Sequence, residues 1–163
     1  MEAAPWPGPR GRLRFVAAFT LIELVIVVTL ISVLALAGAI NVLRSRLTGN
    51  EGVALANLRQ LAVALHAHHA VNNTYPDPLG RLSDATPPYV PASLTGGSEA
   101  NGSASLVGYG YTYDQEGDFD YTLIARPAAQ GVSGMRRFFV DETGVLRYTV
   151  DGTDPTADSP VLQ

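Results

Sequence analysis

A chain of 163 residues has room for one ordinary domain, or for a small domain carried on a long helix. All 11 basic residues are Arg, against 15 acidic ones, and the formal charge of −4 makes phosphate backbones a poor default partner. The absence of Cys excludes disulfides, thiolate metal sites and a Cys nucleophile.

Residues 1–18 read as a short basic leader, with Arg10, Arg12 and Arg14 ahead of Phe15-Val16-Ala17-Ala18. Positive charge before an apolar run keeps an N-terminus on the cytoplasmic side. Residues 19–40 then carry a single charge, Glu23, and as a helix suffice to cross about 30 Å of hydrocarbon. The run is too long for the core of a secretory signal, and no small-x-small cleavage site closes it. Hydropathy alone leaves open a signal anchor that is never cut.

An ionised carboxylate in a spanning segment costs a few kcal/mol or more and marks function by default. Glu23 lies about 6 Å of helical rise from Phe19, so it could also reach the headgroups and favour a helix N-terminus. The sharper explanation is a free amine at Phe19, created by cleavage after Ala18, that the Glu23 of a neighbouring copy neutralises.

The string Phe19-Thr20-Leu21-Ile22-Glu23-Leu24-Val25-Ile26-Val27, after a basic leader and before a spanning segment, resembles the N-terminus of type IV pilins and type II secretion pseudopilins. The likeness covers about the first third of the mature chain. It implies cutting before Phe19 and methylation of the new amine by an inner-membrane prepilin peptidase, with Ala18 and Phe19 flanking the cut and Glu23 guiding assembly. It further implies a non-enzymatic subunit without a cofactor. Its partners would be further copies in a helical homopolymer, an assembly platform with its ATPase, and the lipid bilayer before assembly. The precursor would sit in the inner membrane and the assembled form in a surface pilus or periplasmic filament. Two departures stand out: the family usually has Gly where Ala18 stands, and a familiar Pro later in the helix is missing near Ile40.

Beyond Ile40 the pattern stays helical but more polar. Leu55, Leu58, Leu61, Ala62 and Leu65 recur every three or four residues as one apolar stripe, with Arg59 and Gln60 on the other side. The helix is expected to end near Asn72-Asn73, before Tyr75-Pro76. From 19 to 72 that is roughly 80 Å of helical rise. Residues 74–106, with five prolines and a Gly/Ser/Asn stretch, read as a loop with a short helix around 79–85. Four strands follow, over 107–114, 120–126, 136–141 and 145–150, with Asp141-Glu142-Thr143-Gly144 as a hairpin turn. The expected fold is α+β: a long N-terminal helix, half transmembrane and half amphipathic, packed on a C-terminal antiparallel sheet of about four strands.

Several clusters invite a ligand. His66, His68 and His69 have no completing Cys or carboxylate for a metal. Asp114, Glu116, Asp118 and Asp120 lack EF-hand spacing. Asp151, Asp154 and Asp158 lie in a C-terminal tail, and some pseudopilins hold calcium with an acidic C-terminal loop; a solvated turn explains each group more simply. Tyr109, Tyr111 and Tyr113 share one strand face and read as packing. Arg44 and Arg46, just past the apolar run, could meet acidic groups of adjacent copies. No Ser-His-Asp order with motif context emerges. The leading function is therefore a pilus-like filament subunit, with a type II secretion pseudopilin as the alternative and an uncut, membrane-tethered periplasmic binding module as the remote one.

Overall fold

In the computed structural model of the chain the described residues are 19–96 and 103–162, without the side chains of 37–41 and 103–104. The chain divides into two compact units, Met1–Ala39 and Ile40–Gln163. Helix α1 covers Leu21–Asn72 and continues from the first unit into the second. The leader over 1–18, including Ala18, lies outside the described residues.

In the first unit Thr20 is the N-cap of α1. Its hydroxyl accepts the Glu23 N–H at 3.3 Å, and its carbonyl accepts the Leu24 N–H at 3.2 Å. Every large apolar side chain described from Phe19 to Leu36 is exposed. Among the described residues no helix is long and apolar enough to cross a membrane. The span expected over 19–40 includes 37–40, whose side chains lie outside them.

The second unit is α+β and holds the core. Strands β1 (Ser103–Leu106), β2 (Tyr109–Glu116), β3 (Asp120–Pro127), β4 (Arg137–Asp141) and β5 (Arg147–Thr149) form one antiparallel meander in chain order. Two short helices precede the sheet, α2 at Arg81–Asp84 and α3 at Ala92–Thr95. Period-2 alternation puts Tyr109, Tyr111 and Tyr113 of β2, Tyr121, Leu123 and Ala125 of β3, and Phe138 and Val140 of β4 in one core with Ala54, Leu58, Leu61 and Leu65 of α1. Tyr111, Ala125 and Phe138 stand in register across three strands, as do Tyr113, Leu123 and Val140. Full burial of each leucine or aromatic contributes about 1.5–3 kcal/mol, so this seam dominates the stability of the unit.

The α+β class and the antiparallel sheet are as expected, but the strand count is corrected from about four to five. β1 lies inside the segment read as a loop over 74–106, because Ser-Ala-Ser-Leu has no branched or aromatic alternation to mark it. The first expected strand also starts two residues late. Val107 and Gly108 both have positive φ, +47° and +77°, and close a two-residue turn between β1 and β2. Helix α1 ends in a left-handed Asn73 (φ +56°), whose N–H bonds the His69 carbonyl at 2.8 Å. Asp141–Gly144 does form the turn between β4 and β5, with the buried Asp141 carboxylate accepting from the Thr143 backbone and hydroxyl.

Candidate functional site

The two residues expected from the sequence to act in assembly lie just before α1 and in its first turn. Phe19 precedes the helix and is exposed; Glu23 is in its first turn, also exposed, with its backbone N–H taken by Thr20. Thr20-Leu21-Ile22-Glu23 has the spacing of a capping box, so the hydroxyl–amide half of that device sets where the helix begins. This reading was available in the sequence and competes with no other role for Glu23, because the cap uses its backbone and leaves its carboxylate at the surface. Among the described residues neither Glu23, Arg44 nor Arg46 enters an ion pair.

The histidines gather at the C-terminal end of α1 and do packing work. His69 stacks on Tyr75 with ring centroids 4.6 Å apart, while His66 meets Tyr75 and Tyr121 edge-on. The His68 Nδ1–H donates to the Thr74 carbonyl at 3.0 Å, and the Tyr75 hydroxyl lies 3.3 Å from His66 Nδ1. The acidic turn between β2 and β3 closes on the same place. Asp118 accepts the Tyr75 N–H through its carbonyl and the Thr74 hydroxyl through its carboxylate.

The tail acids are structural too. Arg126 grips Asp154 with two bonds, at 2.7 and 2.8 Å, and Arg137 adds a third at 2.8 Å. The hydrogen bond from Arg126 is the chief cause that holds the Asp154 carboxyl below its ordinary range. Asp151 accepts the backbone and hydroxyl of Thr153 in a tight turn. Both Asp154 oxygens are thus committed to guanidinium groups, the opposite of an acidic loop open to calcium. Among the described residues no group of three or more His, Asp or Glu side chains is placed to hold a metal ion.

The structure adds a polar lock that the sequence reading missed. Glu51 is buried on the apolar stripe of α1 and receives three donors from the segment before β4. The Met135 and Arg136 N–H groups donate to Oε1 at 2.8 and 3.2 Å, and Arg136 Nε donates to Oε2 at 2.9 Å. Burial pushes this carboxyl up, but the combined donors outweigh it and leave it below its usual value. Next to it Asn50 donates to the Ser133 carbonyl at 2.9 Å, and the Tyr109 hydroxyl donates to the Arg136 carbonyl at 2.7 Å. A signal was present: Leu47, Glu51, Ala54, Leu58, Leu61 and Leu65 follow a strict four-three spacing, so a carboxylate stands on the buried seam and needs a partner.

No protein-family model matches the chain, and no curated protein or solved structure matches it.

Among the described residues the ion pairs of the second unit, at Glu51 and at Asp154, fix segments to one another. Of the large apolar side chains that stay exposed among the described residues, most lie from Phe19 to Leu36.

Proposed function

We propose that the chain is the structural subunit of a type IV pilus-like filament. Residues 19–40 hold the chain in the inner membrane, both before and after a prepilin peptidase cuts between Ala18 and Phe19 and methylates the new amine. Single subunits then leave the bilayer and polymerise through the same segment. The observation that carries this reading is the exposure of Phe19–Leu36, from 44% at Val27 to 81% at Leu21, on all sides of the helix. A helix apolar all round has to be covered, by lipid or by other proteins. The second unit has a core of its own.

The likeness of Phe19–Val27 to pilins supports the same conclusion from the sequence side. One segment serves twice: lipid covers it first, and equivalent segments of neighbouring copies cover it afterwards. Non-closing head-to-tail contacts extend into a helical filament without further design. Intact mass of membrane-extracted protein tests the reading. A chain that begins at a methylated Phe19 is expected; a chain that keeps residues 1–18 would defeat it and leave the tethered monomer.

A further inference from the structure

The sheet places three chain reversals at the end of the second unit from which α1 runs back toward residue 40. They are the Val107-Gly108 turn, the segment 128–136, and the exit of β5 at Val150. Backbone and side-chain bonds knit them together: the Ala128 N–H donates to the Gly108 carbonyl at 2.9 Å, and Gln130 Nε2 donates to the Val150 carbonyl at 3.3 Å. Met135 and Val150 further share a surface depression of about 370 Å³ with Arg44 and Leu47 of α1.

Each reversal exposes a large apolar side chain: Val107 is 54% exposed, Val132 64%, Met135 48% and Val150 57%. Apolar side chains scattered singly need no explanation, but four on adjoining reversals form a patch. Val107 adds an independent point. A β-branched residue at φ +47° is a backbone outlier, in a turn that favours Asn or Gly, and the chain bears that strain while presenting an apolar side chain to the outside.

Charge is divided between the two ends of the sheet. Glu116, Asp118, Asp120 and Glu142 lie at the β2–β3 and β4–β5 turns, away from these reversals. At the reversal end Arg44, four residues past Ile40, lines the depression with Met135 and Val150, and Arg46 is exposed two residues further along α1. The acids Glu51 and Asp154 at this end are held in ion pairs and Asp151 is closed in its own turn by Thr153, while Asp158 is exposed in the tail beside β5. Apolar tips beside cationic side chains are complementary to an anionic membrane interface.

We propose that this end of the head is a lipid-facing surface: Val107, Val132, Met135 and Val150 enter the headgroup region of an anionic leaflet, and Arg44 and Arg46 contact lipid phosphates. The inference rests on the reading that residues 19–40 insert in the bilayer. It gives the stored subunit a fixed seat on the membrane, held by its head as well as its anchor. Leaving for the filament then requires the patch to come off lipid along with the helix.

The absence of Cys allows single labelling sites in the full chain. An environment-sensitive fluorophore at Val107→Cys, Val132→Cys or Val150→Cys is compared with one at Phe119→Cys, in the opposite turn. The protein is reconstituted at low density into vesicles of phosphatidylethanolamine and phosphatidylglycerol, or of phosphatidylcholine alone, with a nitroxide on some headgroups. The expected result is a blue shift and quenching at 132 and 150, and at 107 where that variant folds, with the label at 119 unchanged. Quenching should weaken in the neutral vesicles and in the Arg44→Gln/Arg46→Gln background. Co-flotation with unquenched labels overturns the lipid seat alone. A blue shift that appears only at high protein density assigns the patch to a second copy and also overturns it. Failure to co-float overturns the anchor reading and this inference together.

Discussion

A Cβ added to Gly134 would stand 2.0 Å from the hydroxyl oxygen of Tyr109 and 2.6–2.7 Å from two of its ring carbons. The tyrosine is fully buried and its hydroxyl is bonded to the Arg136 carbonyl, so it cannot swing aside cheaply. Gly134→Ala is therefore expected to destabilise the head by about 1–3 kcal/mol, as overpacking does. Tyr109→Phe alone should cost about 1 kcal/mol for the lost bond. Because ring carbons as well as oxygen are crowded, the double variant should recover only part of the alanine penalty. Chemical denaturation of the four proteins measures this; full recovery would mean that the ring does not meet residue 134.

The Glu51 carboxyl is held below its ordinary value in the folded chain, so its ionised form stabilises folding. That contribution is fully present above the unfolded value, about 4.3, and is lost as pH falls through the lower folded value. Glu51→Gln should cost about 1–3 kcal/mol at pH 7, with the half-exposed Arg136 keeping the figure toward the low end. The variant should also lose stability less steeply than wild type between pH 5 and pH 3, a window of about two units around the carboxylate range. Parallel slopes in urea titrations across that window would show that Glu51 is not ionised in the lock.

Val107→Asn relieves a strained backbone without removing a buried contact. A stabilisation of about 0.5–1 kcal/mol is expected, the usual gain when a turn receives a residue suited to its dihedral angles. Thermal unfolding of the head reads it directly. A destabilised variant would show that the Val107 side chain supports the fold.

With Asp154 gripped by Arg126 and Arg137, EDTA and millimolar calcium are both expected to leave the melting temperature where it is. Asp154→Asn should lower stability by about 0.5–1 kcal/mol, the scale of a partly exposed ion pair. A rise in melting temperature with calcium that Asp154→Asn abolishes would reassign the tail to metal binding.

In cells, Glu23→Ala should give processed protein that stays in the inner membrane and forms few or no filaments. An unpaired Phe19 amine at a buried contact typically costs about 3–5 kcal/mol, while loss of the carboxylate makes insertion easier. Ala18→Gly should process at least as fast as wild type, and Ala18→Leu should stall as precursor. Normal filament yield from Glu23→Ala after shearing would defeat charge pairing and leave the cleavage prediction standing.

The features that follow a period were legible without coordinates. The leucine stripe of α1, the tyrosine face of β2 and the Asp141–Gly144 turn each declare themselves within ten residues or so. β1 did not, since Ser-Ala-Ser-Leu is distinguished only by the neighbour it pairs with, and pairing is not a local property. Glu51 was readable as an anomaly on the seam, but its partners lie more than eighty residues away and no spacing predicts them. The same holds for Gly134, an ordinary loop glycine until Tyr109 fills the space where a side chain would go. The Thr20 cap, by contrast, is local: a Thr three residues before Glu23 has the spacing of a capping box.

The final residues run back along β5. Leu162 N–H bonds the Leu146 carbonyl, Tyr148 N–H bonds the Pro160 carbonyl, and Arg147 reaches the Ser159 carbonyl, all within 3.1 Å. The C-terminus is thus a hem stitched over a raw edge of the sheet. A chain shortened before Ser159 would keep every buried member of the hydrophobic core and lose only Leu162 packed against it, yet uncover a row of amides and carbonyls able to zip onto the same row of another molecule. Such a truncation would look folded in every spectrum and still precipitate.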